Sequence, residues 1–234
     1  MAVVAPQFTG FRPEAVQFLA DLAENNDRAW FQPRKAEFER LLKQPLEAFV
    51  AALGERLEAR RVPLRADPAR APFRIYRDVR FSKDKSPYKT NLGASLPWAE
   101  GPDGAEQDGP HGVGGYFHLS PGEIFVGGGM WHPEKPKLDA FRRLVSDDPK
   151  AVHAAIDEPG FKRAFGQISG DRLQRLPHGY PADHPEADLL KLKDVTFGRH
   201  LSDEEAFSAD LPEIVAGHLA AGLPVFRLLA GLPG

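Results

Sequence analysis

The sequence predicts an α+β fold, with a mainly antiparallel sheet of at least four strands packed by N-terminal and C-terminal helices. Three observations carry this expectation. Apolar residues recur at helical spacing from Arg12 to Arg61, the period shortens toward two between Pro72 and Trp131, and helical spacing returns from Pro136 onward. Helices and strands segregated in this way mark α+β folds, whereas doubly wound folds alternate them.

Pro13 suits a first helical turn, and Ala15, Val16, Phe18, Leu19 and Leu22 form one apolar stripe. A second helical run places Phe38, Leu41 and Leu42 on one face, then continues with Leu46, Phe49, Val50, Leu53 and Leu57; Pro45 is expected to kink or divide it. Phe73, Ile75, Val79 and Phe81 alternate with Arg74, Tyr76, Asp78 and Arg80, which predicts a strand with its apolar set inward. Arg77 falls on the apolar side, so a bulge or a partnered guanidinium is expected there. Leu92, Ala94, Leu96 and Trp98 predict the next strand, and GYFHLSPGEIFVGGG predicts a hairpin turning at Pro121 and Gly122. Beyond it, Leu138, Phe141, Leu144 and Val145 predict a helix, Pro149 starts a short one with Val152 and Ile156, and Pro185 to Leu190 forms another. Val195 to His200 reads as a strand, and the C-terminal segment as one or two helices divided near Pro224.

A chain of 234 residues buries roughly 70% of its unfolded surface, enough for one core without staples. One domain over residues 1–234 is expected, helical at 12–61, sheet at 72–131 and mixed helical at 136–234. Hydrophobic residues at 42% and charged residues at 27% are the ordinary globular mix, which argues against disorder and fibrous repeats. The absence of cysteine excludes disulfides, thiolate nucleophiles and cysteine-based zinc sites. MAVVAPQFTGFRPEA lacks the basic and apolar regions of a signal peptide. Glu213, His218, Arg227 and two prolines interrupt the most apolar stretch, Leu211 to Leu232, so no membrane span is expected and the compartment is read as cytoplasmic.

Between Arg74 and Asn91 stand six basic and two acidic residues, a local +4 in a chain of net −3, so the remainder carries −7. That balance disfavours extended tracking along nucleic acid and leaves a local anion site open. Arg74, Tyr76, Asp78 and Arg80 would project along one strand face, and the loop SKDKSPYK adds Lys83, Lys85, Tyr88 and Lys89. Charge-assisted hydrogen bonds to phosphate or carboxylate are worth about 1.5–3 kcal/mol each, so such a row can cradle an anion. On this reading Arg74, Arg77 and Arg80 fork onto a small anionic, phosphorylated or carboxylate ligand. Lys85 and Lys89 add charge, Tyr76 and Tyr88 add hydroxyls or stacking, and Asp78 or His118 is the candidate general acid or base. The competing reading is a solvated face of surface ion pairs worth ~0–1 kcal/mol. A protein-interaction face for an acidic partner is the alternative function, and contact with single-stranded nucleic acid through Tyr76, Phe81 and Tyr88 the weaker one.

No catalytic motif is complete. Ser82 and Lys85 match Ser-x-x-Lys without the motifs that accompany it, GVGGYF lacks the third glycine of a dinucleotide fingerprint, and neither a phosphate loop nor a G-x-S-x-G elbow occurs. The run Gly127 to Gly129 beside Trp131 predicts a bulge or close packing ahead of a ligand seat. The eight histidines show no metal-ligand spacing; His118 and His132 are candidates to meet across the hairpin, and Asp183 and His184 to offer an acid and an imidazole. Neither a metal nor a cofactor is expected, and the sequence sets no oligomeric state.

Three motifs in order, RDVRFSKDKSPYKTN, YFHLSPGEIFVGGGMWHPE and GYPADHPEADLLKLKD, together with FTGFRPEAVQFLADLAENNDRAWF, resemble a bacterial family catalogued as domain of unknown function 2461. The resemblance covers nearly the whole chain, which implies one domain, and implies no reaction. Arg77, Asp78, Arg80, Phe81, Lys85, Pro87, Tyr88 and Lys89 match its basic motif, and Gly127 to Gly129 its glycine run. The loop from Gly101 to Gly112 is expanded relative to it.

Overall fold

The structure, a computed structural model, describes residues 7–80, 82–100 and 112–233. Phe81 and most of the expanded loop, residues 101–111, lie outside the described residues. The N-terminal helices are α1 (Pro13–Glu24), α2 (Arg28–Phe31), α3 (Lys35–Phe38) and α4 (Gln44–Ala59). Pro13 opens α1, which buries Ala15, Phe18, Leu19 and Leu22, and the Asp27 carboxylate caps α2 by accepting from the Trp30 N–H.

Pro45 does not divide the second helical run. A π-helical turn, Glu39–Lys43, joins α3 to α4, and the Gln44 N–H reaches back to the Glu39 carbonyl. In a regular α-helix a proline ring strikes the carbonyl four residues earlier. The wider π turn relaxes that crowding one residue before Pro45, so the chain passes on unbroken and buries Leu41, Leu42, Leu46, Phe49, Val50, Leu53 and Leu57.

The sheet contains β1 (Leu92–Pro97), β2 (Val113–Ser120), β3 (Glu123–Met130) and β4 (Val195–His200), all antiparallel and in chain order. Gly122, at φ 77°, turns β2 into β3 beside Pro121. The α+β class and the four-stranded antiparallel sheet stand, but the predicted strand at 73–81 does not belong to the sheet. That segment pairs through isolated bridges, Pro72 with Ala94 and Tyr76 with Tyr88. Its hydrogen bonds explain the break: Ala71 and Phe73 bond to Ser95 and Gly93, whereas Ile75 and Arg77 bond to Lys89 and Pro87. Thr90 and Asn91 take up the resulting two-residue offset, so no continuous ladder forms. The fourth strand is instead β4, far along the chain.

After the hairpin come α5 (Lys135–Asp147), α6 (Pro149–Ile156), α7 (Pro159–Phe165), α8 (Ala187–Leu190), α9 (Asp203–Phe207), α10 (Leu211–Ala221) and α11 (Leu223–Ala230). α10 and α11 are bent by 55° at the break before Pro224. Among the described residues no single helix is long and apolar enough to cross a membrane. The buried Arg142 guanidinium of α5 donates to the carbonyls of Leu190 and Leu192 at 3.0 and 2.9 Å, satisfying acceptors at the end of α8.

Helices α1, α10 and α11 pack on β2 and β3, and α7 on β4. The face they cover presents Leu96, Phe117, Val126, Met130 and Phe197, all buried. Gly128 belongs to this face because the Phe226 ring of α11 lies on it; a Cβ there would come within 2.4 Å of the ring and 2.6 Å of the Gly114 carbonyl oxygen. The opposite face presents Gly93 and Ser95 from β1, Gly114, Tyr116 and His118 from β2, Phe125, Gly127 and Gly129 from β3, and Thr196 and Gly198 from β4.

Gly128→Ala is expected to lower stability by about 1–3 kcal/mol, as overpacking does, and Phe226→Leu in the same chain to recover part of it; urea unfolding of the two variants measures both. A second expectation concerns pH. His153 of α6 sits between Asp157 at 2.9 Å and Glu186 at 3.0 Å, and the Asp157 bond first, then that to Glu186, raises its pKa above the ordinary value. A raised folded pKa stabilises fully below the unfolded value, and the contribution fades as pH rises through the folded one. His153→Ala should therefore cost more stability at about pH 5.5 than at about pH 8.5, by no more than ~1 kcal/mol for so exposed a group. A cost independent of pH in chemical denaturation would contradict this.

Candidate functional site

Aromatic rings lie across strand glycines on the open sheet face, and this forms a hollow. The Phe73 ring covers Gly93, where a Cβ would be 3.0 Å from it, and the Phe125 ring covers Gly198, where a Cβ would be 2.0 Å away. Tyr116 stands between them, 6.1 Å from Phe73 and 6.4 Å from Phe125 between ring centroids. The cavity so bounded has a volume of about 660 Å³, with Gly114, Gly129 and Thr196 among its lining and Trp131 at its edge. Ligand pockets of this kind run about 300–1,000 Å³, with apolar walls and a few placed polar groups.

Trp131 is 53% exposed, yet its backbone is fixed. The next residue, His132, has φ 46°, a conformation unfavourable for a residue with a side chain. The buried Asp194 carboxylate holds it there, accepting from the His132 N–H at 2.6 Å with the His132 Nδ1 at 3.1 Å, and the imidazole lies 4.0 Å from the indole. The turn that places Trp131 over the cavity is thus tied to the residue just before β4.

The polar groups of the cavity come from separate elements: Lys89, Asn91, Ser95, Tyr116 and Thr196. The Tyr116 hydroxyl lies 3.0 Å from His118 Nδ1, Asn91 Nδ2 lies 3.4 Å from the same nitrogen, and His118 Nε2 lies 3.0 Å from Ser120 Oγ. Asn91 Nδ2 can only donate, so Nδ1 is the acceptor and Nε2 carries the ring proton toward Ser120. Burial pushes the Tyr116 pKa up, with Glu123 adding to it, and burial pushes the His118 pKa down against the opposing pull of Glu123. Both groups are therefore uncharged at neutral pH.

The basic segment separates into two sets. Arg77, half-buried, is paired to Asp84, and Arg80 grips Asp78 with Nε at 3.0 Å from Oδ1 and a terminal nitrogen at 2.6 Å from Oδ2. Hydrogen bonding to Arg80 holds the Asp78 pKa at about 2, and the Ser86 hydroxyl, then Arg77, holds Asp84 well below the carboxylate range. Lys85 donates to the Val79 carbonyl at 3.0 Å. These contacts close the local turn. Tyr88 is not displayed at a surface as expected: it is 1% exposed, its ring stacks on Phe31 at 4.1 Å, and Asn26 bonds both its N–H and its carbonyl. Tyr76 remains 49% exposed, 5.5 Å from the Tyr88 ring.

The other set is Arg74 and Lys89. Neither makes an ion pair among the described residues, and they are close enough for the Arg74 charge to bear on Lys89. Lys89 lines the cavity with its Nζ 4.6 Å from the centre of the Phe73 ring, a cation–π contact. Phe73 therefore faces the cavity and not the core. Asn91, Ser95, Phe125 and Thr196 were not singled out by sequence; the small or polar residue at every second position was a signal for Asn91, just before β1, for Ser95 within it and for Thr196 in β4, and Phe125 had none.

The paired histidines do not meet. His118 stands opposite Phe125, and His132 lies past Met130 at the other end of the hairpin. His184 accepts from the Glu186 N–H and does not bond Asp183. Among the described residues no histidine and carboxylate cluster is arranged to hold a metal ion.

No curated protein and no solved structure matches this chain. The family described as conserved hypothetical protein (DUF2461) matches over residues 14–227, which includes the basic segment, all four strands and the cavity between them. The chain belongs to that family.

Proposed function

We propose that the protein binds a small molecule with a flat or apolar body and one anionic group, seated on the open face of the sheet. The observation that carries this reading is Lys89, without an ion pair among the described residues, lining an aromatic-walled cavity of about 660 Å³. Phe73, Tyr116, Phe125 and Trp131 supply apolar surface, and Gly114 and Gly129 in the lining let a ligand approach the backbone. Lys89 and Arg74 supply the charge. Asn91, Ser95 and Thr196 supply orientation, and the neutral Tyr116 hydroxyl is available as an acceptor. Compared with the surface-cradle form of the idea, the anion moves from the 77–85 segment, where Arg77 and Arg80 are already matched by Asp84 and Asp78 and Lys85 bonds the Val79 carbonyl, to the end of the segment that lines the cavity. A hollow of this size favours a small ligand over an acidic protein partner, which would call for a broad, flatter face.

Isothermal titration with a naphthalene carboxylate tests the reading. One site is expected. Ser95→Phe, which fills the hollow, should abolish binding, and Lys89→Ala should weaken it by roughly tenfold, about 1.4 kcal/mol, while sparing the neutral carboxamide. Binding that survives Ser95→Phe, or that is lost on Arg80→Ala and not on Lys89→Ala, would move the site off the sheet face.

A further inference from the structure

We propose that Lys89 is a nucleophilic amine that captures the carbonyl carbon of a small anionic aldehyde or ketone held in the sheet-face cavity. This rests on the cavity being the ligand seat and adds a covalent step to it.

The surroundings of the side chain carry the inference. Lys35, Lys43, Lys135 and Lys162 face carboxylates and Lys85 donates to the Val79 carbonyl, whereas Lys83, Lys150, Lys191 and Lys193, without an ion pair among the described residues, do not line the cavity. A carboxylate at an ammonium group favours the protonated form, which has no lone pair to give. Lys89 has no such partner among the described residues. Its ammonium rests on the Phe73 ring inside a cavity, and the nearest charge bearing on it is the like charge of Arg74. Desolvation and a neighbouring cation are the two ways in which an amine is made nucleophilic near neutral pH. Burial first, and Arg74 second, hold the Lys89 pKa below the ordinary lysine value. The cation–π contact works the other way, since it favours the charged form, but a ring face binds an ammonium less strongly than a carboxylate does.

In the step itself the Nζ lone pair forms a bond to the carbonyl carbon while the carbonyl π electrons move onto oxygen. The two hydrogens of the neutral amine then leave with that oxygen as water, and a carbon–nitrogen double bond remains. No oxidant or reductant is consumed. The Arg74 charge that bears on Lys89 favours an anionic group on the same compound, which limits the ligand class to carbonyl compounds bearing a carboxylate or phosphate nearby.

Pyridoxal 5′-phosphate, a planar aldehyde with a phosphate group, is a suitable probe. The full-length protein is treated with an equimolar amount at neutral pH, reduced with borohydride so that the double bond becomes a stable secondary amine, and mapped by peptide mass spectrometry. Lys89 should carry more label than any other lysine, the exposed Lys83 included, and Lys89→Arg should lose that label without transferring it elsewhere. Label spread evenly over exposed lysines, in a protein that still binds the naphthalene carboxylate, would overturn the covalent step and leave the binding reading standing. Absence of both the selective label and naphthalene carboxylate binding would overturn the two together.

Discussion

Close approach of backbone to backbone and of ring to backbone at strand glycines is the constraint on which the rest of this structure depends. A Cβ at Gly127 would lie 2.2 Å from the Phe197 carbonyl oxygen, and one at Gly129 would lie 2.1 Å from that of Val195. β3 and β4 can therefore approach as they do only without side chains at those positions. Gly128, between them, admits Phe226 from the helical side. The same stretch thus serves both faces: it locks α11 onto the sheet and leaves the other side low. Phe73 and Phe125, laid on Gly93 and Gly198, turn that low ground into a walled hollow. Glycine in a strand is ordinarily a weakness, and here bulky neighbours recover the lost contact.

Charge follows a separate logic. Six cations in eighteen residues suggest a site by density, yet three of them, Arg77, Arg80 and Lys85, are used within the turn itself. Arg80 with Asp78 and Arg77 with Asp84 are exposed or half-exposed pairs that hold residues 77–86 in shape. Arg74 and Lys89, toward the ends of the segment, make no ion pair among the described residues, and Lys89 lines the cavity. What marks a cation as functional is the absence of a partner together with the presence of a hollow, and local abundance supplies neither.

The helical stripes were legible because each is a local pattern. Ala15, Phe18, Leu19 and Leu22, or Leu138, Phe141, Leu144 and Val145, need no knowledge of distant sequence, and the turn at Pro121 and Gly122 follows from residue type alone. The segment 73–81 misled because alternation records which residues alternate, not whether a ladder continues; the offset at Thr90 and Asn91 depends on a partner. At Pro45 the interruption takes the form of a π turn just before it, a form that carries no strong sequence mark. The site was half legible. Lys89 and Arg74 stood in the basic motif, but Tyr88 looked equally available and is buried against Phe31. The cavity draws Ser95, Tyr116, Phe125 and Thr196 from four strands up to about a hundred residues apart, and the register that gathers them is long-range information.

A crystallographic screen with flat carboxylate fragments tests the central claim most directly. The account predicts density on the open face of the sheet, in contact with Gly114, Tyr116 and Thr196, with the carboxylate toward Lys89. Fragments gathered instead around Arg77, Arg80 and Lys85, with the sheet face empty, would contradict it.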